Sequence, residues 1–408
     1  MTTDDHKFLS YGRQSLDEED IQAVVDVLRG DWLTTGPTVH KFENKFRDII
    51  QADYVTACSS GTAALHMAYM ALGVGPGDRV IVPAISFIAT ANAAVFCGAD
   101  ILFSDVDPKT GLMRAADVLS LIAGLTPDEL SSIVAITPVN LMGEVVEIEA
   151  IHDIARKYDW RIIIDSCHAL GTTYKGRDGE TRVVGDCHFA HMEVFSFHPV
   201  KTIAMGEGGA VTTNDETLYD RLCHLRNHGI ERDPDKWEAE CEGEIPPPWY
   251  YEMQLLGYNY RQSDIHCALG LSQLDKLPSF MDKRRRLVAQ YDGLLKNVSP
   301  HIMSVAPADN CSATRHLYVV LIDFEALGMT RIDFVGALSV RNVGTQVHYI
   351  PIYAHPFYEK KYGKLQRSGA EQYYAQTLSL PLHVSLSEDD VTYVVDQISD
   401  IVRGLEKI

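Results

Sequence analysis

The sequence predicts an α/β fold with a large domain, built on a mostly parallel, doubly wound sheet, and a smaller C-terminal α/β domain. Strand-like and helix-like segments alternate from residue 54 to residue 228, a pattern typical of a sheet covered by helices on both faces. The length of 408 residues allows two domains and a large buried core. A composition of 46% hydrophobic and 23% charged residues is ordinary for a globular protein.

Two helices are predicted before the first strand. Residues 16–30 place Ile21, Val24, Val25 and Leu28 on one helical face. The turn sequence at 34–37, which contains a Gly-Pro pair, ends this segment. A second helix is predicted over residues 40–50.

The segments that follow form the predicted sheet and its helices. In order they are strand 54–58, helix 62–72, strand 79–82, helix 89–97, strand 101–106, strand 133–139, helix 148–158, strand 161–165, strand 191–197, strand 209–213 and helix 216–228. Ligands of such sheets bind at the carboxyl ends of the strands. Ser59, Phe87 and Asp165 each lie just past the end of a predicted strand, so a site is expected there.

The segment 231–249 interrupts the alternation. It is acidic, contains three consecutive prolines at 246–248 and ends in Trp249, Tyr250 and Tyr251. A solvated surface loop and an active-site lid are both consistent with this composition. A helix over 263–277 follows, and residues 280–408 mix helices with short strands such as 317–322. The predicted domains are therefore 1–279 and 280–408.

Charge and composition exclude several classes of protein. A formal charge of −20 argues against a nucleic-acid partner, because phosphate binding needs a basic face. No apolar run approaches the ~18 residues of a membrane span, and the first ten residues have no apolar signal core. We therefore expect a cytoplasmic protein without a membrane partner.

The eight cysteines indicate neither disulfides nor a metal site. They are scattered and no CxxC pair occurs, which predicts that they are reduced. Cys187, His188 and His191 are close in sequence, but two ligands at i, i+3 without a clear third partner are weak evidence for a metal site. We expect no metal.

The most informative segment is residues 195–209, FSFHPVKTIAMGEGG. It places Lys201 five residues after Ser196 and just before a glycine-rich turn. A lysine on a turn is usually exposed and idle, but one held against a buried strand would have a lowered pKa and become nucleophilic. The setting of Lys201 favours the second interpretation.

Two further segments supply polar groups at strand ends. Residues 162–171, IIIDSCHALG, deliver Asp165 and His168, although such residues can also be a helix cap and a core histidine. Gly61 and Thr62 open a helix whose free N–H groups favour an anion, although a plain serine or threonine cap is the alternative. A strand-end acid, an anion site and a lone lysine are the parts that a pyridoxal phosphate (PLP) site needs.

These segments also resemble a known family. SSGTAAL, IIIDSCHALG, FSFHPVKTIAMGEGG and LGYNYRQSDIHCALGLSQL are together similar to the DegT/DnrJ/EryC1/StrS sugar aminotransferases, over nearly the whole chain. GRQSLDEEDI, SFHPVK, LRNHGIERDP and PPPWYYEMQLLGYNYR resemble the pseudaminic acid branch, the UDP-4-amino-4,6-dideoxy-N-acetyl-β-L-altrosamine transaminases.

The resemblance implies PLP-dependent transferase fold type I, with PLP as cofactor and Lys201 and Asp165 as the catalytic residues. Lys201 would carry PLP as a Schiff base and Asp165 would pair with its ring nitrogen. Further implied contacts are Gly61, Thr62 and Ser196 at the phosphate, Phe87 on the ring face, His168 by the ring hydroxyl, Asn259 at the phosphate across a homodimer interface, and His348 and Tyr349 near the sugar. Without the resemblance, a turn residue is the favoured interpretation of Asn259, and core packing is the usual role of an aromatic such as Phe87. His348 and Tyr349 are equally consistent with packing in the smaller domain.

The function implied by the resemblance is transfer of an amino group from glutamate to C4 of a UDP-linked 4-keto-6-deoxy-N-acetylhexose, in pseudaminic acid or related sugar biosynthesis. Some relatives carry histidine in place of the lysine and act as dehydratases, so Lys201 favours transamination. Two alternatives remain. One is transamination of another nucleotide keto-sugar, at C3 or with a dTDP or GDP carrier, and the other is a non-catalytic, PLP-binding regulatory protein.

Overall fold

The structure is a computed structural model that describes residues 7–239, 247–308 and 310–405. Within these ranges the strands are β1 (Tyr54–Cys58), β2 (Arg79–Pro83), β3 (Asp100–Ser104), β4 (Ile133–Ile136), β5 (Arg161–Asp165), β6 (Thr173–Lys175), β7 (Thr181–Val183), β8 (Met192–Ser196), β9 (Gly209–Thr213), β10 (Ile230–Glu231), β11 (Glu252–Met253), β12 (Ile302–Ser304), β13 (Cys311–Ser312), β14 (Tyr318–Ile322) and β15 (Thr377–Leu380).

The helices pack on and between these strands. They are α1 (Glu18–Leu28), α2 (Pro37–Ile50), α3 (Gly61–Ala71), α4 (Ala89–Phe96), α5 (Ala115–Ala123), α6 (Pro127–Ser131), α7 (Ile148–Lys157), α8 (Glu216–Leu225), α9 (Asp264–Leu295), α10 (Arg331–Ser339), α11 (Pro356–Tyr362), α12 (Ser368–Gln376) and α13 (Glu388–Leu405). Short 3-10 turns occupy Leu141–Gly143, Pro234–Lys236 and Ile352–Ala354.

Seven strands form the central sheet, in the order β1-β9-β8-β5-β4-β2-β3. The pairs from β8 to β3 are parallel, and β9 runs antiparallel to both of its neighbours. The strands are almost entirely buried, as expected for a sheet covered on both faces. The predicted mostly parallel α/β fold is confirmed.

The register of the sheet sets the position of the predicted site residues. Cys58 and Ser196 both pair with Gly209, so the last residues of β1 and β8 lie level across β9. A Cβ atom on Gly209 would lie 2.3 Å from the carbonyl oxygen of Ser60, so only glycine allows the chain after β1 to approach this closely. The loops that follow β1, β5 and β8 therefore meet at one edge of the sheet.

A second hydrophobic core lies around the antiparallel sheet β12-β14-β15. Helix α9 contributes to two cores. Leu277 and Phe280 pack in a core with residues of the central sheet, and Leu287 and Tyr291 pack in the second core. The predicted boundary at 279/280 thus falls inside a continuous helix, at the point where its packing partner changes. Leu9, which was assigned to the first domain, packs in the second core and pairs with Val343.

Most predicted elements are confirmed to within a few residues, and three differ for identifiable reasons. Helix α9 continues through Pro278, where a proline normally ends a helix, because both halves are buried against cores. Helix α8 ends at Leu225 instead of 228, and His228 is in the left-handed region at φ 61°. Strand β4 ends at Ile136, after which Val139 forms an isolated bridge to Asp165.

The segment 231–249 is described only in part, since residues 240–246 lie outside the described ranges. Strands β10 and β11 pair at its base, and the rings of Trp237 and Tyr250 are 4.6 Å apart. Whether the segment is a surface loop or a lid therefore stays open.

The seven cysteines within the described ranges are unpaired, and Cys241 lies outside them. His188 contacts Arg182, while His191 accepts from the backbone of Ile162. Of the helices that the structure describes, none combines the length and apolarity required to cross a bilayer.

Candidate active site

A cavity of about 600 Å³ opens at the edge of the sheet where the strand-end loops meet. Nine of the ten predicted site residues line it: Gly61, Thr62, Phe87, Asp165, His168, Ser196, Lys201, His348 and Tyr349. These residues come from parts of the chain separated by almost 300 positions, so the fold and not the local sequence brings them together.

Lys201 lies on the turn that follows β8. The turn is fixed by backbone bonds, from Lys201 N to the His198 carbonyl oxygen at 2.8 Å and from Met205 N to that of Phe197 at 2.9 Å. Burial disfavours the charged ammonium and lowers the pKa of Lys201, while the Cys167 thiol and the Asp165 carboxylate oppose this shift. The side chain is therefore a desolvated amine whose neutral form is more accessible than that of a surface lysine.

Asp165 is the last residue of β5 and is buried. Its Oδ2 accepts a hydrogen bond from Thr90 Oγ1 at 2.8 Å, and its Oδ1 accepts one from Cys167 N at 3.2 Å. Thr90 also contacts Ser86, with 2.7 Å between the hydroxyl oxygens. Two donors directed at one buried carboxyl fix its orientation.

Gly61 and Ser196 form a narrow cradle at the start of α3. Ser60 is the N-cap of this helix and accepts from Ala63 N at 3.1 Å, so a capping serine is present at 60. A Cβ atom at Gly61 would lie 2.8 Å from Ser196 Cβ and 3.3 Å from Cys167 Sγ. The lack of a side chain at Gly61 keeps the helix N-terminus open towards the cavity, where its dipole favours an anion.

His168 and Tyr349 meet on one wall of the cavity. The His168 Nε2 atom and the Tyr349 hydroxyl are 3.3 Å apart, and His168 Nδ1 accepts from Met142 N at 3.3 Å. Burial and the nearby Lys201 hold the pKa of His168 well below its usual range. Burial raises the pKa of Tyr349 well above the usual range of a tyrosine. The imidazole and the phenol are both neutral.

Phe87 and His348 complete the predicted set within the cavity. The Phe87 ring is 53% exposed and lies 6.1 Å from the Tyr349 ring, at the rim where it can cover a bound planar group. His348 Nδ1 is 2.7 Å from Ser379 Oγ, and burial lowers the pKa of His348 to about 3. His348 is therefore a neutral polar group in the cavity wall.

Asn259 is the one predicted site residue that does not line the cavity. Its side chain is exposed, and its backbone pairs with Asn227 in an isolated bridge. The adjacent Tyr260 accepts from Ser59 N at 2.9 Å, which holds this segment beside the start of α3. Asn259 faces outward from its own chain, and its role across an interface stays a prediction.

Several residues that line or adjoin the cavity were missed by the sequence analysis. Thr90, which donates to Asp165, follows Phe87 by three residues and could have been found from the first turn of α4. Cys167 lies inside a motif that was already singled out. Tyr11 and His316 also line the cavity, and the His316 ring is 4.5 Å from that of His168. No local pattern indicates them, because Tyr11 comes from the segment before α1 and His316 from the loop that leads into β14.

The residues of the cavity fit PLP. This cofactor presents an aldehyde, a ring nitrogen and a phosphate, which call for an amine, a carboxylate and an anion cradle. Lys201, Asp165 and the open N-terminus of α3 supply these groups around one cavity, and the glycine at 61 leaves the room that a phosphate needs.

Comparisons with known proteins point to the same chemistry. The model of the DegT/DnrJ/EryC1/StrS aminotransferase family matches residues 14–399. Spore coat polysaccharide biosynthesis protein SpsC of Bacillus subtilis is 35% identical over 402 residues, which cover 98% of each chain. UDP-4-amino-4,6-dideoxy-N-acetyl-beta-L-altrosamine transaminase of Campylobacter jejuni is 34% identical over 399 residues, covering 98% of this chain and 99% of that one.

Solved structures are similar over the same extent. Helicobacter pylori PseC, an aminotransferase involved in the biosynthesis of pseudoaminic acid, has a TM-score of 0.87 at 29% identity and covers 98% of this chain and 100% of its own. Spr1654 of Streptococcus pneumoniae, solved in a PLP form and a pyridoxamine phosphate (PMP) form, has TM-scores of 0.84 and 0.86 at 26% identity, over 98% of this chain and 99% of its own.

Proposed function

The chain belongs to the DegT/DnrJ/EryC1/StrS aminotransferase family, has PLP-dependent transferase fold type I and is a PLP-dependent sugar aminotransferase. From this premise we propose that it transfers an amino group from glutamate to C4 of a UDP-linked 4-keto-6-deoxy-N-acetylhexose. The product would enter pseudaminic acid biosynthesis or the biosynthesis of a related sugar.

The observation that carries this proposal is the desolvated amine of Lys201 in one cavity with Asp165 and the open helix N-terminus. A transaminase needs an amine that is neutral often enough to attack and to move protons near neutral pH. The choice of sugar rests on likeness to the Campylobacter transaminase and to PseC.

Each cavity residue has a proposed task. When bound, PLP supplies an electron-withdrawing ring that allows the bond between the donor's α carbon and its hydrogen to break. Asp165, oriented by Thr90 and Cys167, pairs with the ring nitrogen and keeps it protonated. Lys201 would hold the cofactor through Nζ, and the same nitrogen is placed to move a proton at the reacting carbons.

The other residues bind and orient. The N–H groups of Gly61 and Thr62 and the hydroxyl of Ser196 hold the phosphate, and Phe87 covers one face of the ring. His168 donates to the ring hydroxyl oxygen. His348 and Tyr349, as neutral polar groups, contact the sugar without placing a charge against it.

We propose that the active unit is a homodimer in which Asn259 reaches the phosphate of the partner subunit. Large apolar side chains stand exposed beside Asn259: Met253 is 64% exposed, Leu256 77% and Tyr258 39%. Such a cluster near an outward-facing polar residue is typical of a protein interface.

A second nucleotide keto-sugar is the alternative substrate, with amination at C3 or a dTDP or GDP carrier. SpsC, whose name places it in spore coat polysaccharide biosynthesis, is about as similar to this chain as the Campylobacter transaminase is, so likeness alone does not select one sugar. The alternative keeps every residue role given above.

A substrate panel tests the choice. Purified protein would be incubated with PLP, glutamate and a set of UDP-, dTDP- and GDP-linked 3-keto and 4-keto sugars, with products read by mass spectrometry. We expect conversion of the UDP-linked 4-keto-6-deoxy-N-acetylhexose and none with Lys201→Ala. Faster conversion of a 3-keto or dTDP-linked sugar would establish the alternative. Product formed with another amino donor, and none with glutamate, would contradict the proposal that glutamate is the donor.

A further inference from the structure

A tight turn at residues 140–144 lies directly beneath His168. The backbone N–H of Met142 donates to His168 Nδ1 at 3.3 Å. On the opposite side of the ring, Nε2 is 3.3 Å from the Tyr349 hydroxyl. The imidazole therefore lies between a main-chain donor, which can never accept, and a hydroxyl, which can do either.

The turn adopts a conformation that its sequence does not favour. Met142 has φ 61° and ψ −6°, in the left-handed region that non-glycine residues seldom occupy. Gly143 has φ 101°, and a Cβ atom there would lie 2.3 Å from the Thr314 carbonyl oxygen. Met142 carries a side chain and is not favoured in the left-handed region, so the surrounding contacts must hold it in this conformation.

Contacts on several sides hold the turn. Asn140 donates through Nδ2 to Ser166 Oγ at 3.0 Å and accepts through Oδ1 from Val146 N at 3.2 Å. The Gly143 carbonyl oxygen accepts from Thr172 Oγ1 at 2.9 Å, and that of Met142 accepts from His316 N at 2.9 Å.

A buried ion pair anchors the last residue of the turn. Glu144 Oε1 is 2.8 Å from Arg315 Nη2, and both side chains are almost fully buried. Glu144 Oε2 also accepts from Ala308 N at 3.1 Å. Because the turn is fixed by both the central sheet and the segment before β14, the position of the Met142 N–H group is set independently of His168.

We propose that the main-chain N–H of Met142 fixes His168 as the neutral tautomer with its proton on Nε2, and so makes His168 a permanent hydrogen-bond donor inside the cavity. A neutral imidazole has one N–H, and a nitrogen that accepts from Met142 cannot carry it. Burial and the charge of Lys201 exclude the doubly protonated form near neutral pH. Met142 is thus a positioning residue, which acts through His168.

A proton on His168 Nε2 also sets the role of the Tyr349 hydroxyl, which then accepts from His168. A hydroxyl that accepts from His168 Nε2 keeps its own proton for a ligand in the cavity. The pair therefore presents a donor to the cavity, either the Tyr349 O–H when its oxygen accepts from Nε2 or the Nε2–H itself when a ligand oxygen accepts from it instead. Either donor suits a ligand oxygen that is anionic or a carbonyl. That the oxygen belongs to the cofactor or the keto-sugar rests on the proposed function, whereas the tautomer itself does not.

Neutron diffraction from a deuterium-exchanged crystal of the PLP-loaded protein tests the tautomer directly. We expect nuclear density for deuterium on His168 Nε2 and none on Nδ1. Deuterium on Nδ1, alone or together with Nε2, would overturn the proposal. A protein that does not bind PLP at all would overturn the proposed function and leave the tautomer to be read from the crystal without cofactor.

A pair of variants tests the consequence by PLP affinity instead of activity. His168→Gln can accept from Met142 through Oε1 and donate into the cavity through Nε2, whereas His168→Leu fills the space without polar atoms. The apoproteins would be titrated with PLP and binding followed by fluorescence. We expect the dissociation constant for PLP to be about tenfold or more higher in His168→Leu than in His168→Gln. Equal constants, in variants whose circular dichroism and melting match, would leave His168 with a packing role only.

Discussion

Lys201 is the residue on which the proposed chemistry depends most. We predict that borohydride reduction of the PLP-loaded protein, followed by tryptic mapping, places the pyridoxyl group on Lys201, because this amine is buried in the cavity and its pKa is lowered. Lys201→Ala should abolish turnover and leave the melting temperature close to that of the wild type. Lys364→Ala, whose side chain is 89% exposed, is the matched control and should behave as wild type. A label on another lysine would contradict the assignment.

Asp165 and Thr90 act as a pair at the scale of single hydrogen bonds. Asp165→Asn should retain PLP but lower kcat by orders of magnitude, since an amide cannot hold the ring nitrogen protonated. Thr90→Val removes one donor to the carboxylate at nearly constant volume, and we expect a loss of about tenfold in kcat. The readout is steady-state kinetics at saturating PLP. A Thr90→Val enzyme with wild-type kcat would show that Cys167 N alone orients the carboxylate.

At the scale of the element, the turn beneath His168 depends on Gly143. Gly143→Ala would place a Cβ atom 2.3 Å from the Thr314 carbonyl oxygen at a positive φ, so we expect a loss of at least about 1–2 kcal/mol in the free energy of unfolding. Gly336→Ala, in helix α10 with open space around it, is the control and should be neutral or stabilising. Chemical denaturation of the three proteins measures the difference. If Gly143→Ala destabilises the protein no more than Gly336→Ala does, the turn at 140–144 can shift to accommodate a Cβ atom, which would contradict the prediction.

Strand β8 contains a buried acid with a consequence for pH. Burial raises the pKa of Glu193 from its ordinary 4.5 to about 7, although its Oε2 accepts from Ser166 Oγ at 2.7 Å. The folded state therefore binds a proton more tightly than the unfolded state, and stability is lost as pH rises from about 4.5 to about 7. Glu193→Gln removes this dependence, so its melting temperature relative to wild type should increase over that window. A constant difference between the two proteins from pH 5 to pH 8 would contradict the raised pKa.

At the scale of the whole molecule, the outward position of Asn259 predicts a composite site. Lys201→Ala and Asn259→Ala should each be impaired alone but complement each other when mixed, because one site of every mixed dimer combines the two intact residues. Random exchange should restore about a quarter of the wild-type sites. The measurement is activity after verified subunit exchange, with unmixed variants as controls. A mixture no more active than its parents would place Asn259 outside the site.

The amount that the sequence could predict differs between these scales. Short buried strands such as β1, β5 and β9 have the bounds that were predicted, because the composition of a short buried run is a local property of the sequence. The path of α9 through Pro278 was not predictable, since packing on two cores outweighs the local cost of a proline. Residues in motifs were found, whereas Tyr11 and His316 were not, because only the tertiary fold brings them to His168 and His348.

The bridge between Leu9 and Val343 has a consequence for the order in which the protein assembles during synthesis. Leu9 N donates to the Asn342 carbonyl oxygen at 2.8 Å, and Gly344 N donates back to that of Leu9 at 2.7 Å, so a segment that is synthesised before the central sheet pairs with one that is synthesised after it. The central sheet is complete by residue 213 and can close before this partner exists. We expect the segment around Leu9 to dock last and the Leu9 amide to be the last to gain protection from exchange in a refolding pulse-labelling experiment, since contacts this distant along the chain carry the largest closure entropy. The pairing of Leu9 with Val343 thus forms only after the central sheet has formed.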